Sequence, residues 1–307
     1  MAAKKQEQDA KKTRDKNKPA AKKKGTAGKK PKDAPKGAAR KRKIDFPIVG
    51  LGASAGGLEA LEAFFSNMPP DSNIAFVVIQ HLSPTHKSIM DSLLSKCTRM
   101  KVLGVEDGTK VEPNRVYLNP PDKNVVIING KLQLLDPVKT GGINLPIDCF
   151  FRSMAEELGE KAICIILSGT ATDGTLGLKA VKGGGGIAMV QDPDSAKYDG
   201  MPRSAISTGI VDFILPVEKI PAELVKYVRT PYVGVPKKVK PTDNQFTNYI
   251  QKIFALIRIA TGHDFSHYKQ TTIGRRIERR MAVHQIDKIS NYVNYLQKTP
   301  AEVDMLF

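Results

Sequence analysis

The stretch that decides the fold is Ile48-Val49-Gly50-Leu51-Gly52-Ala53-Ser54-Ala55-Gly56-Gly57. Its apolar first half predicts a short buried strand, and the glycines that follow predict a tight turn. Apolar residues then recur at helical spacing, at Leu58, Leu61, Phe64 and Phe65. Ser54 therefore lies where a helix begins, beside unpaired backbone N–H groups and the positive end of the helix dipole. This position suits a nucleophile whose reaction intermediate carries a negatively charged oxygen.

Two motif interpretations compete for these residues. Residues 52–56 fit G-x-S-x-G, the turn that presents a hydrolase serine, whereas residues 50–55 fit the dinucleotide fingerprint G-x-G-x-x-A. The dinucleotide interpretation predicts an acidic residue at the end of the second strand, but that strand ends with Gln80-His81. Because His81 supplies a base, the sequence favours the hydrolase. A plain glycine-rich turn with a helix-capping serine stays open as the structural alternative.

The positive charge of the chain is concentrated at its beginning. The 307 residues carry a net charge of +17, and residues 1–43 hold 18 Lys and Arg against four Asp and Glu. This segment contains no aromatic residue and little apolar bulk, so it is expected to be a disordered tail. We expect a solubilising or linker arm, or an arm that makes nonspecific contacts with anionic surfaces. Nothing in it predicts sequence-specific binding of nucleic acid.

Other features of composition indicate a cytoplasmic protein. No segment has the pattern of a signal peptide, and no apolar run reaches membrane-spanning length. Three cysteines, Cys97, Cys149 and Cys164, lack the spacing of a metal site. His263 and His267 are four residues apart, but no third ligand accompanies them. The sequence therefore predicts no metal site.

From residue 44 onward, the pattern predicts strands alternating with helices. Apolar runs occur at 47–52, 74–80, 162–168, 187–190 and 211–215. Two helical faces lie between them, one with Ile89, Leu93, Leu94 and Cys97, the other with Ile147, Phe150, Phe151, Met154 and Leu158 after Pro146. Asn129-Gly130, between apolar stretches, predicts an inserted antiparallel hairpin. The predicted fold class is α/β, a doubly wound and mainly parallel sheet with that hairpin, followed by a small all-α region.

Three polar side chains follow neighbouring strands of the predicted sheet. The first strand ends at Ser54, the second at His81, and the strand at 162–168 leads into Asp173. Because sites form at the carboxyl ends of parallel strands, we expect a nucleophile, a base and an orienting acid to meet there. Taken singly, His81 could merely hydrogen-bond polar groups of a loop, and Asp173 could merely cap a helix. The order Ser, His, Asp differs from that of the α/β-hydrolases.

Residues 44–229 resemble the catalytic domain of chemotaxis protein-glutamate methylesterases (CheB-type). The matching stretches are residues 49–57, Gln80-His81, Glu106-Asp107-Gly108, residues 162–174 and residues 200–206. The resemblance implies hydrolysis of glutamate γ-methyl esters on the cytoplasmic domain of methylated chemoreceptors, with deamidation of some glutamines, and no cofactor. It implies that Ser54 is the nucleophile, His81 the general base and Asp173 its partner. We expect Ala55 and Thr170 to lie at the oxyanion site.

The chain departs from the family pattern in three places. Thr170 stands where relatives often have methionine, and Leu145 stands near a position where they often have arginine. Many relatives also carry a phospho-receiver domain before the esterase. Residues 1–43 are too short and too polar for one, so we expect no gating by phosphorylation in cis.

The remaining residues predict a linker and a helical region. Residues 230–243 are spaced by prolines, and residues 244–307 resemble the N-terminal helical domain of CheR-type receptor methyltransferases, notably at 268–281. The chain ends before any fold for S-adenosylmethionine, so it resembles the front of an esterase–methyltransferase fusion. A basic helix face, Arg275, Arg276, Arg279 and Arg280, either docks an acidic receptor segment or is simply solvated.

Three functions remain from the sequence. The first is the esterase, the second is a non-catalytic chemosensory scaffold, and the third is a nucleotide-binding protein that uses the glycine loop. Labelling of Ser54 by a nucleophile-directed probe would separate the first from the second.

Overall fold

A computed structural model describes residues 44–81, 90–137, 144–230 and 244–307. The predictions for the basic tail, for most of the linker and for Ile89 lie outside these residues.

A seven-stranded parallel sheet forms the centre of the esterase-like region. Its strands, in chain order, are β1 (Ile48–Ala53), β2 (Ala75–Gln80), β3 (Lys101–Gly104), β5 (Arg115–Leu118), β8 (Ala162–Ile166), β9 (Ile187–Gln191) and β10 (Phe213–Leu215). Across the sheet the order is β10-β9-β8-β1-β2-β5-β3, and every pair is parallel. The predicted fold class is therefore confirmed, and β1 lies at the centre, between β8 and β2.

A small antiparallel sheet is inserted into this arrangement. It contains β4 (Thr109–Lys110), β6 (Asn124–Ile128) and β7 (Lys131–Leu135), in the order β4-β7-β6. The turn between β6 and β7 places both Asn129 and Gly130 at positive φ, as the Asn-Gly pair predicts. The predicted hairpin is thus present, with β4 as a third strand.

Helices cover both faces of the parallel sheet. They are α1 (Gly57–Ser66), α2 (Met90–Cys97), α3 (Pro146–Leu158), α4 (Thr175–Gly183), α5 (Gly200–Ile206) and α6 (Ile220–Arg229). Val49 and Leu51 pack with α1 and α6 on one face, whereas Ile48 packs with α3 and α4 on the other. Because the central strands are buried on both faces, they have near-continuous apolar sequences.

Gly52 shows why the central strand contains glycine. A Cβ atom at this position would lie 2.4 Å from Cγ2 of Ile147, at the start of α3. The glycine therefore allows α3 to approach the backbone of β1 closely. This packing requirement accounts for a glycine that the dinucleotide fingerprint would assign to cofactor binding.

The carboxyl-terminal residues form a helical cluster with its own apolar core. Its helices are α7 (Asn244–Thr261), α8 (Gln270–Val283), α9 (Ile289–Lys298) and α10 (Pro300–Leu306). Ile253, Ile277 and Tyr292 are fully buried at the centre of this core. Among the residues that the structure describes, none of the helices combines the length and apolarity needed to cross a membrane.

Candidate active site

Ser54 lies in the turn between β1 and α1. Its N–H donates to the carbonyl oxygen of Ser168 at 3.0 Å, and its own carbonyl accepts from the N–H of Gly57 at 2.9 Å. Gly56 caps α1 with φ = 68°, a left-handed conformation that favours glycine. Two amides of the glycine loop are therefore already used within the chain. This use argues against the dinucleotide interpretation, which needs such amides for phosphate.

His81 directly follows β2, the strand beside β1. The register pairs Ala53 with Gln80, so Ser54 and His81 are the next residues along two neighbouring parallel strands. Adjacent strands lie about 4.8 Å apart, which places both side chains at the same edge of the sheet. Within the described residues no hydrogen bond joins the Ser54 hydroxyl to the imidazole. Catalytic hydrogen bonds are often long in proteins without bound substrate.

Asp173 and His81 meet in the structure. Nε2 of His81 lies 2.7 Å from Oδ2 of Asp173, and the Asp173 residue is only 2 % exposed. The same carboxylate accepts three backbone N–H groups, from Ile147 at 3.0 Å, Asp148 at 2.9 Å and Gly174 at 2.8 Å. Asp173 is therefore held in one orientation by two helix starts. Because Nε2 is engaged, Nδ1 is the ring nitrogen left for another partner.

Of the two predicted oxyanion residues, Ala55 directly follows Ser54 and Thr170 lies on the loop after β8. The carbonyl oxygen of Ala55 accepts from the Ser168 hydroxyl at 2.9 Å, and Thr170 is exposed on the loop after β8. Neither backbone N–H of this pair makes a hydrogen bond within the described part of the chain. A Cβ at Gly169 would lie 2.9 Å from Cβ of Ser54, so the loop carrying Thr170 approaches the nucleophile closely.

Two buried polar residues hold the strand ends in place, and sequence analysis did not identify their role. Asn119 accepts from the N–H of Gln80 at 2.8 Å and donates to its carbonyl at 3.0 Å, which fixes the chain directly before His81. Gln191 accepts from the N–H of Ser168 at 2.9 Å and donates to the carbonyl of Ser195 at 3.0 Å. Asn119 follows β5, the neighbour of β2, and Gln191 ends β9, the neighbour of β8. A polar residue at a strand end was the only signal available in the sequence.

A second buried carboxyl lies next to Asp173. Asp148 is 4 % exposed and accepts from the N–H of Gly177, at the start of α4, at 2.6 Å. Burial raises the pKa of the Asp148 carboxyl above its usual value, and the negative charge of Asp173 raises it further, against the lowering effect of the Gly177 hydrogen bond.

The structure also bears on metal binding. Within the ranges that it describes, no group of three or more His, Cys, Asp or Glu side chains is placed to hold a metal ion.

Fold and site together define an α/β protein with hydrolase-type side chains at the carboxyl edge of a doubly wound sheet. The family model described as CheB methylesterase matches residues 49–224, and the model described as CheR methyltransferase, all-alpha domain, matches residues 248–307. The chain belongs to the CheB methylesterase family. Both matched segments lie within the predicted domains at 44–229 and 244–307. The exact boundaries of those domains stay predictions.

Individual relatives agree with this assignment. A putative protein-glutamate methylesterase/protein-glutamine glutaminase of Leptospira interrogans is 33% identical over 182 residues, 59% of this chain and 94% of the relative. The crystal structure of the Thermotoga maritima CheB methylesterase catalytic domain matches with a TM-score of 0.56 and 33% identity, covering 59% of this chain and 98% of that domain. A 104.1 kDa protein of Rhodobacter capsulatus is 35% identical over 71% of this chain, which spans 25% of its length.

Proposed function

We propose that this chain is a serine hydrolase that removes the methyl group from glutamate γ-methyl esters on the cytoplasmic helices of chemoreceptors. One observation carries the proposal: a buried aspartate, Asp173, hydrogen-bonds His81 at 2.7 Å at the sheet edge where the register also places Ser54. A buried carboxylate that orients a histidine beside a serine is the arrangement by which serine hydrolases activate their nucleophile.

In the first half of the reaction, His81 takes the proton of Ser54 as Oγ attacks the ester carbonyl. Backbone amides at Ala55 and Thr170 would stabilise the oxygen anion of the tetrahedral intermediate. The intermediate then collapses, the C–O bond to the methoxy group breaks, and His81 returns the proton to give methanol. Asp173 stabilises the imidazolium that forms between these two steps.

In the second half, a water molecule attacks the acyl-enzyme. His81 takes a proton from that water and donates it to Oγ of Ser54 as the free glutamate carboxylate is released. Side chains, backbone amides and water supply every group in these two half-reactions, so the proposed mechanism uses no cofactor. Glutamine follows the same path with ammonia as the leaving group, which fits the glutaminase activity named for the Leptospira relative.

The scaffold alternative makes a different prediction about Ser54. If the domain only binds partners, replacing the half-buried Ser54 hydroxyl affects no reaction. If the domain is an esterase, Ser54→Ala abolishes turnover, because general base catalysis and acyl-enzyme formation both need Oγ. We expect a loss of at least about a thousandfold.

The test is a methanol-release assay with methylated chemoreceptor cytoplasmic fragment, comparing the native chain with Ser54→Ala. Circular dichroism and thermal unfolding should be the same for both proteins, because one hydroxyl contributes little to packing. Methanol release by the alanine variant at the native rate would refute the serine mechanism. Failure of the native chain to release methanol would refute the esterase itself.

A further inference from the structure

Tyr198 is a large aromatic residue that is 44 % exposed beside the candidate active site. Its backbone is firmly held, although its side chain is not buried. The Tyr198 N–H donates to the Ser168 hydroxyl at 3.0 Å, and its carbonyl accepts from the Gly169 N–H at 2.9 Å. The ring therefore stands on a rigid segment, and the strand end that leads to Asp173 supplies that support.

The same segment lies against the turn that presents Ser54. A Cβ at Gly56 would lie 2.9 Å from Cβ of Lys197 and 3.0 Å from Cδ2 of the Tyr198 ring. Nζ of Lys197 also pairs with Oε1 of Glu59, in the first turn of α1, at 2.5 Å. These contacts bring the ring against a residue only two positions from the nucleophile.

Core packing does not account for this ring. Residues of the two apolar cores on either side of the sheet are buried, whereas Tyr198 leaves nearly half of its surface to solvent. A rigid, half-exposed aromatic residue at the rim of a reactive site is typical of residues that anchor a partner, because it offers a large contact area at a small entropic cost.

We propose that Tyr198 is a substrate-contact residue that packs against the apolar surface of the receptor helix next to the methyl ester. This inference rests on the proposed esterase function and adds a specificity determinant to it. The contact distinguishes an ester carried on a helix from a small free ester, since only the helix is large enough to cover the ring. Its contribution is made to the bound substrate and the transition state alike, so it is expected to lower KM and leave kcat nearly unchanged.

The experiment compares Tyr198→Ala and Tyr198→Phe with the native chain on two substrates. One substrate is a receptor cytoplasmic fragment with tritiated methyl esters, and the other is p-nitrophenyl acetate. We expect Tyr198→Ala to lower kcat/KM on the fragment by roughly tenfold, mainly through KM, and to leave the small ester within about twofold. Tyr198→Phe keeps the ring and should retain most activity on both. Ile214→Ala, which removes a side chain 46 % exposed on the edge strand β10, is the matched control and should change neither.

The outcomes separate the two claims. An unchanged kcat/KM of Tyr198→Ala on the fragment would overturn the contact and leave the esterase intact. An equal loss on both substrates would also overturn it, because Tyr198 would then only support the serine turn. If the native chain releases no label from the fragment, the esterase proposal falls and the contact falls with it.

Discussion

At the scale of single residues, Asp148 links protonation to stability. Burial raises the pKa of this carboxyl, so the folded state binds its proton more tightly than the unfolded state does. The free energy of unfolding therefore decreases as pH rises from the ordinary pKa of 3.8 through the higher pKa of the folded state. In Asp148→Asn the side chain cannot ionise, and its amide oxygen still accepts from Gly177. We expect the variant to gain stability relative to the native chain as pH rises, measured by thermal unfolding between about pH 4 and pH 8.

Glu156→Gln provides the control for that experiment, because Glu156 is exposed on the same helix, α3. The stability difference between this variant and the native chain should stay small across the same pH range. If the free energy of unfolding of Asp148→Asn instead fell relative to that of the native chain as pH rose, burial could not be the dominant influence on the pKa of Asp148.

At the scale of elements, Asp173 serves helix α3 as well as His81. Pro146 begins the helix, and the next two amides, of Ile147 and Asp148, donate to the Asp173 carboxylate. In Asp173→Ala these buried N–H groups lose their acceptor, so we expect the free energy of unfolding to fall by about 2 kcal/mol or more. Activity should fall as well. Ser54→Ala is the matched comparison, since it should lose activity without losing stability. Equal urea midpoints for Asp173→Ala and Ser54→Ala would show that the hydrogen bonds from α3 to Asp173 contribute nothing to stability.

The elements also show what sequence could predict. The predicted apolar runs correspond to β1, β2, β8, β9 and the three-residue strand β10. Strands β3 and β5 were not predicted, because each begins with a basic residue and offers only two or three apolar residues after it. Ser54, His81 and Asp173 were predicted because each follows a strand and matches a family motif. The roles of Asn119 and Gln191 were missed because a polar residue at a strand end does not reveal its partner. The register of the neighbouring strands is what brings each residue to its hydrogen-bond partner.

At the scale of the molecule, helix α8 joins the helical cluster to the sheet. Arg280 bridges Asp212, directly before β10, and Glu302 of α10, with Nε to Oε1 at 2.8 Å. Arg279 donates to the carbonyl of Gly185, before β9. These residues lie at the amino ends of strands, opposite the carboxyl edge that holds Ser54. Two of the four arginines on the predicted basic face are therefore engaged within the chain, while Arg275 and Arg276 remain exposed.

This junction predicts a large effect of Arg280. The residue is 7 % exposed, so Arg280→Ala leaves the carboxylates of Asp212 and Glu302 buried without their shared cation. Lys182 still pairs with Asp212 at 2.7 Å, but Glu302 loses its strongest partner. We expect the free energy of unfolding to fall by about 3–5 kcal/mol. Arg276→Ala, which removes an exposed arginine from the same helix, should change it by about 0.5 kcal/mol or less. Similar melting curves for the two variants would mean that the bridge does not hold the helical cluster.

The same junction should respond to acid. Burial acts to raise the pKa of Glu302, but hydrogen bonds from Arg280, His284 and Tyr292 outweigh it and hold the pKa at about 2. Because this pKa lies below the ordinary value of 4.5, the ionised carboxylate stabilises the fold above about pH 4.5, and that contribution is lost as pH falls toward 2.

Glu302→Gln lacks the contribution at every pH. The difference in unfolding free energy between the native chain and this variant should therefore be on the order of 3 kcal/mol at pH 7 and shrink below pH 4.5. Urea unfolding at several pH values measures it, and a difference that stays constant down to the lowest pH would show that the charge of Glu302 does not stabilise the junction.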